Sequence, residues 1–188
     1  HLGPTGAGHA MKCINNLITA VTLLSTAEGL TIGKKFGLDP NVMVDVLNVS
    51  TGESWISRTH IKQRVTSRKF DDPFKLGLMV KDIEIALTLA RDLSIPTRLS
   101  SLNREMWTAA REREGADTSV SNLVRWLEHT TGVPITAGNE RDAHFGAAVI
   151  DEEDGIGPVG QQLVSIPELL MGTEIETPGN PDHQLESV

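Results

Sequence analysis

The chain has 188 residues and a net charge of −8, with 39% hydrophobic residues, 4% aromatic residues and no Tyr. This composition is typical of one ordinary soluble domain with an aliphatic core, and we expect neither a signal peptide nor a membrane-spanning run. The single cysteine, Cys13, excludes an internal disulfide and favours a reducing compartment, so we expect a cytoplasmic protein. Residues 139–188 contain 11 acidic residues and one basic residue, and the remaining residues are nearly neutral. No clustered basic surface for nucleic acid is therefore predicted.

Residues 1–132 show helical periodicity throughout. A long first helix is predicted from about His9 to Phe36, because its apolar residues recur at spacings of three and four. Gly37 is its expected C-terminal stop. Apolar side chains fall on most sides of this helix, which favours burial on most sides, as between the two subunits of a homodimer.

Five further helices are predicted, which gives an all-α domain of about six helices. Asp39-Pro40 is typical of an N-cap followed by proline in the first turn, and Asp72-Pro73 marks a later helix entry. Ser119 is the expected cap of the last helix. The predicted spans of the third to sixth helices are about 54–67, 74–93, 99–114 and 119–131.

Residues 133–188 differ from the helical domain in composition. They are rich in glycine, proline and acidic residues, which predicts an irregular, partly ordered extension. One short helix is expected there, within 160–171. The chain begins on a glycine-rich turn that leads straight into a helix and not on Met, so we expect that an upstream segment precedes it.

The most informative segment runs from Gly3 to Asn16. Its glycines have the spacing G-x-x-G-x-G, the reverse of the dinucleotide-binding order, and no strand precedes them. Small residues such as Gly8 allow a ligand to approach closely, next to a helix N-terminus that favours anions. Lys12 and Asn16 are four residues apart, so their side chains share one face of the helix. The pattern indicates a compact polar site, although a solvated lysine beside an incidental asparagine has the same spacing.

Other reactive side chains carry weaker signals. Cys13 is interpreted as a small core residue, because no histidine partner is evident for it in the sequence. The six histidines lack metal-ligand spacing and are interpreted as structural or surface residues, so no metal site is predicted.

Three motifs together resemble the β-hydroxyacid dehydrogenases, which include the 3-hydroxyisobutyrate, tartronate-semialdehyde and 6-phosphogluconate enzymes. They are G-x-x-G-x-G-x-x-x-K-x-x-N-N at the start, then Ala27-Glu28-Gly29, then Phe74-x-x-x-Leu78-x-x-Lys81-Asp82. The resemblance covers roughly residues 1–132. It implies an N-terminal Rossmann domain that binds NAD or NADP, followed by a helical domain that dimerises and completes the active site.

The resemblance also implies roles for individual residues. Lys12 matches the family's catalytic lysine and Asn16 its substrate-binding asparagine, with Gly8 in the same substrate-binding turn. Lys81 matches the lysine close to the nicotinamide, and Phe74 matches an aromatic residue of the same cleft. The expected reaction interconverts a small 3-hydroxy acid and its oxo or semialdehyde form, with Lys12 as general acid and base. Without a cofactor domain, the chain alone is expected to be inactive.

Two alternatives stay open. The helical domain could serve as a non-catalytic dimerisation or interaction module with a vestigial pocket, although the presence of both Lys12 and Asn16 argues against this. Imine-reducing relatives share the expected architecture but generally replace the lysine, so Lys12 disfavours that chemistry as well.

Overall fold

The computed structural model describes residues 2–138 and two short strands, β1 (Ile150–Asp151) and β2 (Gly155–Ile156). Within residues 2–138 every regular element is a helix, which confirms the predicted all-α class. None of these helices has the length and apolarity that a bilayer crossing requires. The helices are α1 (Ala7–Phe36), α2 (Pro40–Leu47), a π-helix (Ile56–Thr66), α3 (Leu76–Asp92), α4 (Arg98–Glu114) and α5 (Asn122–Thr131).

The chain divides into two compact units, residues 1–141 and residues 142–188. The first unit contains all of the helices listed above. In the second unit, β1 and β2 pair in antiparallel fashion, with Ile150 opposite Ile156. The short helix predicted within 160–171 lies outside the described residues.

Helix α1 is the central element of the first unit, because it contacts each of the other helices. Trp107 of α4 is fully buried, and its indole Nε1 donates hydrogen bonds to the carbonyl of Ala20 at 3.3 Å and to Asn103 Oδ1 at 3.1 Å. These bonds satisfy the one polar atom of a large apolar side chain. The buried apolar stripe of α1 comprises Cys13, Ala20, Leu23, Leu24, Ala27 and Leu30.

Local sequence determines how α1 ends and α2 begins. Gly37 adopts a left-handed conformation with φ of 104°, which confirms it as the C-terminal stop of α1. Asp39 is confirmed as the N-cap of α2, since its Oδ1 accepts hydrogen bonds from the backbone N–H groups of Asn41 at 2.7 Å and Val42 at 3.1 Å. These two residues therefore locate the boundary between α1 and α2.

Two other predicted helix entries are wrong. Helix α3 begins at Leu76 and not after Asp72, and the Asp72 carboxylate accepts hydrogen bonds from the hydroxyl groups of Ser119 and Ser121. Ser119 is not the N-cap of α5, which begins at Asn122. In both cases a tertiary hydrogen bond between distant segments has replaced the local cap that the sequence suggests.

One face of α1 is apolar but exposed in the single chain. Met11 is 45% exposed, Ile14 37% and Ile18 59%. Burial of α1 on most sides is therefore not achieved within one chain. Partner burial of this face stays a prediction.

Candidate functional site

Two of the predicted motifs meet through the carboxylate of Asp82. Asn16 Nδ2 on α1 donates a hydrogen bond of 2.7 Å to Asp82 Oδ2 on α3, across 66 positions of sequence. Lys81 Nζ lies 3.1 Å from the other oxygen, Oδ1, of the same carboxylate. Packing of α1 on α3 thus joins the glycine-turn motif to the Lys-Asp motif.

Asp82 is buried but incompletely satisfied. The residue is 1% exposed, and its Oδ1 makes no hydrogen bond, although the Lys81 ammonium lies within ion-pair distance. The Lys81 side chain is 53% exposed, so solvent screens this ion pair. A buried carboxylate oxygen therefore retains capacity for one more donor.

Asp82 fixes the orientation of the Asn16 amide. One N–H of the Asn16 amide is directed at Asp82, and Asn16 Oδ1 accepts a weaker hydrogen bond from Asn15 Nδ2 at 3.4 Å. This network assigns the nitrogen to the side facing α3. Among the described residues, no hydrogen bond engages the second N–H of Asn16. No sequence signal predicted this contact between Asp82 and Asn16, because the motif drew attention to Lys81.

Lys12 and Gly8 lie on the open side of this network. Lys12 is exposed on α1, one turn before Asn16, so the two side chains are neighbours on one face. Among the described residues, no hydrogen bond or ion pair engages the Lys12 ammonium. Gly8 is exposed, and a Cβ added there would meet no atom within 4 Å. The space next to Gly8 and Lys12 is therefore open to solvent in the single chain.

A cavity of about 700 Å³ adjoins Asn16. Asn16 and Phe74 line it, whereas Lys12, Gly8 and Lys81 do not. The structure thus brings two of the five predicted site residues to one cavity. Lys81 is linked to that cavity through Asp82 and Asn16, and Lys12 is linked to it only through its position on α1.

The π-helix contributes residues to this cavity that the sequence interpretation did not single out. Trp55, at its N-terminus, and His60 both line the cavity, with ring centroids 6.1 Å apart. π-Helical turns are rare in proteins overall, but those that occur are often found at functional sites. The loop Ser50-Thr51-Gly52 does not line this cavity, and Gly52 lines a different one.

His60 was interpreted as structural or surface, but it is 4% exposed in the cavity wall. Its Nδ1 lies 3.3 Å from Asp72 Oδ1, and its buried Nε2 has no hydrogen-bond partner in the structure. Burial lowers the pKa of His60 below its usual value; the Asp72 carboxylate opposes this shift, and the Arg64 guanidinium adds to it. No sequence signal predicts this contact, because Asp72 was assigned to a helix cap and His60 carries no local pattern.

Cys13 is fully buried, as its interpretation as a core residue predicted. The statement that it has no histidine partner is wrong, because His9 Nε2 lies 3.9 Å from Cys13 Sγ. Their i, i+4 spacing on α1 was the available signal. Within residues 2–138 no group of three or more His, Cys, Asp or Glu side chains could hold a metal ion.

Comparison with known proteins gives consistent matches. Residues 6–127 match the family model described as "NAD-binding of NADP-dependent 3-hydroxyisobutyrate dehydrogenase". The chain is 29% identical over 138 residues to 2-(hydroxymethyl)glutarate dehydrogenase of Eubacterium barkeri, covering 73% of this chain and 46% of that protein. It is 33% identical over 136 residues to 3-hydroxyisobutyrate dehydrogenase of Pseudomonas aeruginosa, covering 66% of this chain and 46% of that protein.

A solved structure has the same helical fold. The 3-hydroxyisobutyrate dehydrogenase of Mycobacterium tuberculosis, solved with L-serine, matches with a TM-score of 0.62 and 26% identity, over 68% of this chain and 45% of that one. The chain therefore spans slightly less than half the length of the relatives that it matches.

Proposed function

Because the chain belongs to the family of NAD-binding domains of NADP-dependent 3-hydroxyisobutyrate dehydrogenases, we propose that it forms the helical half of an oxidoreductase. The substrate would be a small 3-hydroxy acid, and the other half would be a Rossmann domain. Family membership confirms the resemblance to β-hydroxyacid dehydrogenases, and NAD or NADP is the cofactor of that family. The observation that carries the proposal is the bridge from Asn16 through Asp82 to Lys81, which unites two motifs of the resemblance.

Lys12 acts as general acid and base in this proposal. Reduction of a carbonyl creates a developing alkoxide, and the Lys12 ammonium would stabilise that charge and donate its proton to the oxygen. In the oxidation direction, the neutral amine would accept the hydroxyl proton. The free N–H of Asn16 would donate to an oxygen of the same substrate, and Asp82 keeps that amide in place. Gly8 would let the substrate approach the helix N-terminus closely.

Phe74 and Lys81, the residues proposed to bind the cofactor, have side chains that suit a nicotinamide dinucleotide. Phe74 presents a half-buried ring to the cavity, and Lys81 carries a half-exposed ammonium beside Asp82. An aromatic ring face suits the planar nicotinamide, and a cation suits the phosphates of the same dinucleotide. When bound, the nicotinamide supplies or takes the hydride at the reacting carbon. Phe74 and Lys81 would hold it against the Asn16 side of the cavity.

The test is turnover of the chain joined to its cofactor-binding domain. The Lys12→Ala variant should lose roughly 100- to 10,000-fold in kcat, because general acid–base help has that magnitude. Folding should be unaffected, since Lys12 is exposed. Lys69→Ala removes an exposed lysine that does not line the cavity, and it serves as the matched control. Unchanged turnover in Lys12→Ala would refute the assigned role.

We also propose that the exposed apolar face of α1 forms a homodimer contact. Met11, Ile14 and Ile18 together present a row of exposed apolar side chains. Ile14→Lys should convert a dimer to a monomer in light scattering, whereas Thr88→Lys on the exposed side of α3 should not. A dimer whose parent enzyme shows neither cofactor binding nor turnover would favour the alternative function, a non-catalytic interaction module.

A further inference from the structure

Residues 133–138, the last described stretch of the first unit, lie across the corner between α1 and α2, and we call them the strap. Lys34, near the end of α1, donates a hydrogen bond from Nζ to the carbonyl of Gly138 at 2.5 Å and a longer one to that of Thr136 at 3.4 Å. Asp39, the N-cap of α2, accepts a hydrogen bond on Oδ2 from the N–H of Gly138. Both sides of this corner are therefore bonded to the same residue, Gly138.

The strap is held by charged side chains and by one buried anchor. Lys34 is only 7% exposed, and a buried ammonium is tolerated only where acceptors surround it, which here include two strap carbonyls. Ile135 is fully buried, and its N–H donates to Glu128 Oε1 of α5 at 2.7 Å. Gly138 has a φ of 93°, a left-handed conformation that favours glycine. These contacts make the closed strap a specific arrangement and not an incidental loop path.

The Asp39 carboxylate connects the strap to α2. Its Oδ1 accepts the hydrogen bonds that cap α2, from the N–H groups of Asn41 and Val42, and its Oδ2 accepts the bond from the strap. The strap thus holds the capping carboxylate by its second oxygen. When the strap opens, the carboxylate gains rotational freedom, and the first turn of α2 loses part of its cap.

The first turn of α2 is also bonded to the end of the π-helix. The buried hydroxyl of Thr66 donates a hydrogen bond of 2.8 Å to Asn41 Oδ1. Toward its other end, the π-helix contributes Ile56 and His60 to the cavity beside Asn16. A π-helix is a rare conformation that its surroundings must maintain, so loss of this end contact loosens the helix that forms the cavity wall.

Resting on the proposed function, we propose that the strap is a conformational latch of the candidate site. When the strap is closed, it holds the Asp39 cap, α2 and the π-helix together, so that the cavity wall is rigid. When it is open, Asp39 is released and the π-helix fluctuates, which weakens binding of the hydroxy acid. The coupling follows a continuous series of hydrogen bonds from Gly138 through Asp39 and Asn41 to Thr66, and the two states of the strap bias it.

Hydrogen exchange of the 188-residue chain, followed by mass spectrometry, tests the latch. Asp39→Asn removes the acceptor for Gly138 and keeps a good N-cap, since asparagine caps helices about as well as aspartate. Lys34→Met removes the two bonds to strap carbonyls and keeps an apolar stem. In each variant the amides of the π-helix (Ile56–Thr66) should exchange roughly fivefold faster, the ratio expected for one lost hydrogen bond. Helix α4 should show a smaller change.

A double-mutant cycle separates this series of bonds from a general loss of stability. Thr66→Val keeps the shape of the side chain and removes the hydroxyl that donates to Asn41. If the strap acts through this bond, Asp39→Asn should accelerate exchange of the π-helix by less than about twofold when Thr66→Val is already present. A general loss of stability would instead give the same factor in both backgrounds.

Matched controls and a third variant complete the experiment. Asp92→Asn and Lys69→Met change exposed residues outside the strap and should leave exchange of the π-helix unaltered. Gly138→Val strains the left-handed backbone of the strap and should accelerate that exchange, whereas Ala137→Val changes its exposed neighbour and should not. Because Gly138 is exposed, this variant keeps the test available if a variant of a buried residue fails to fold.

The outcomes are distinct. Faster exchange in α2 and the π-helix that is suppressed by Thr66→Val would support the latch. Unchanged exchange of the π-helix in Asp39→Asn and Gly138→Val would overturn the inference, and so would equal factors in the two backgrounds of the cycle.

The latch and the proposed function fail in different ways. In the full-length enzyme that we propose, Asp39→Asn should raise KM for the hydroxy acid, by no more than the roughly fivefold change in opening, with kcat unchanged because Lys12 keeps its surroundings. An unchanged KM despite faster exchange would overturn the link between the latch and the site. Faster exchange in an enzyme without turnover that depends on Lys12 would retain the latch within the helical domain and remove the proposed reaction.

Discussion

Two buried aspartates of the same domain differ in how many hydrogen-bond donors surround their carboxylates. The Asp72 side chain is 11% exposed and the Asp82 side chain 2%, so both carboxylates are largely removed from water. Asp72 contacts two serine hydroxyls, a histidine and an arginine. Asp82 has one amide donor and one solvent-screened lysine, and its Oδ1 makes no hydrogen bond.

From this difference we expect a mainly stabilising effect of Asp72 and a mainly functional effect of Asp82. A buried carboxylate is tolerated when donors satisfy its lone pairs, and Asp72 meets that condition. Its contacts join the segment before α3 to the start of α5 and to the π-helix, so its effect is expected mainly in stability. Asp82 lacks full satisfaction and adjoins Asn16, and its effect is expected mainly in ligand binding.

The largest effect is expected for Asp72→Ala. Loss of the carboxylate leaves Ser119, Ser121 and His60 without their partner, and the free energy of unfolding should fall by about 3 kcal/mol. Urea unfolding measures this change. Asp71→Ala is the matched control, because Asp71 is exposed and pairs with the partly exposed Arg64, and its cost should stay below about 0.5 kcal/mol. Similar losses in the two variants would contradict the stabilising role assigned to Asp72.

The pH dependence of stability should come next in size. The pKa of folded His60 lies below the ordinary value of 6.5, chiefly because of burial, so the unfolded chain takes up the proton first as the pH falls. The contribution of neutral His60 to stability is fully present above about pH 6.5 and is lost as the pH falls toward the folded-state pKa. The slope for one proton is at most about 1.4 kcal/mol per pH unit.

Unfolding by urea at pH 7.5 and 5.5 tests this expectation. His60→Gln should show a smaller difference between the two pH values than the unaltered chain, whereas His129→Gln should keep the full difference. If the difference persists in His60→Gln, the titrating group lies elsewhere.

These two effects also mark the limit of what the sequence predicted. The extent of α1 and the caps at Gly37 and Asp39 follow from local patterns, and the structure confirms them. The hydrogen bonds of Asp72 come from the hydroxyl groups of Ser119 and Ser121, which lie 47 and 49 positions away, so no local pattern encodes them. The same residue was predicted to cap α3, because Asp-Pro is locally typical of a helix start.

The candidate site was predictable to a similar degree. Lys12 and Asn16 share a face of α1 because the i, i+4 spacing requires it. The bond from Asn16 to Asp82 spans 66 positions and required the packing of α1 on α3. The π-helix was predicted only as a helix, since over 11 residues its side-chain pattern does not differ enough from that of an α-helix.

A smaller loss of stability is expected for Asp82→Asn. The asparagine oxygen can still accept from Asn16, so the free energy of unfolding should fall by about 1 kcal/mol at most. In the full-length enzyme that we propose, the same variant should raise KM for the hydroxy acid by a larger factor than the stability loss explains, because the Asn16 amide loses its fixed orientation. Asp92→Asn, on the exposed end of α3, is the control and should change neither quantity. A stability loss as large as that of Asp72→Ala would remove the contrast between the two aspartates.

The smallest effect on stability is expected for Lys81→Ala. This variant tests most directly whether Asp82 differs from Asp72. The Lys81 side chain is 53% exposed, so its ion pair with Asp82 is screened and should contribute less than about 0.5 kcal/mol. If Lys81 serves the cofactor, this variant of the proposed full-length enzyme should raise the apparent dissociation constant for NAD or NADP, measured by fluorescence titration, with the unfolding curve unchanged. Lys75→Ala, which removes an exposed lysine just before α3, is the control. A large loss of stability without any change in cofactor affinity would make Lys81 a structural partner of Asp82, and Asp82 would then be satisfied in the same manner as Asp72.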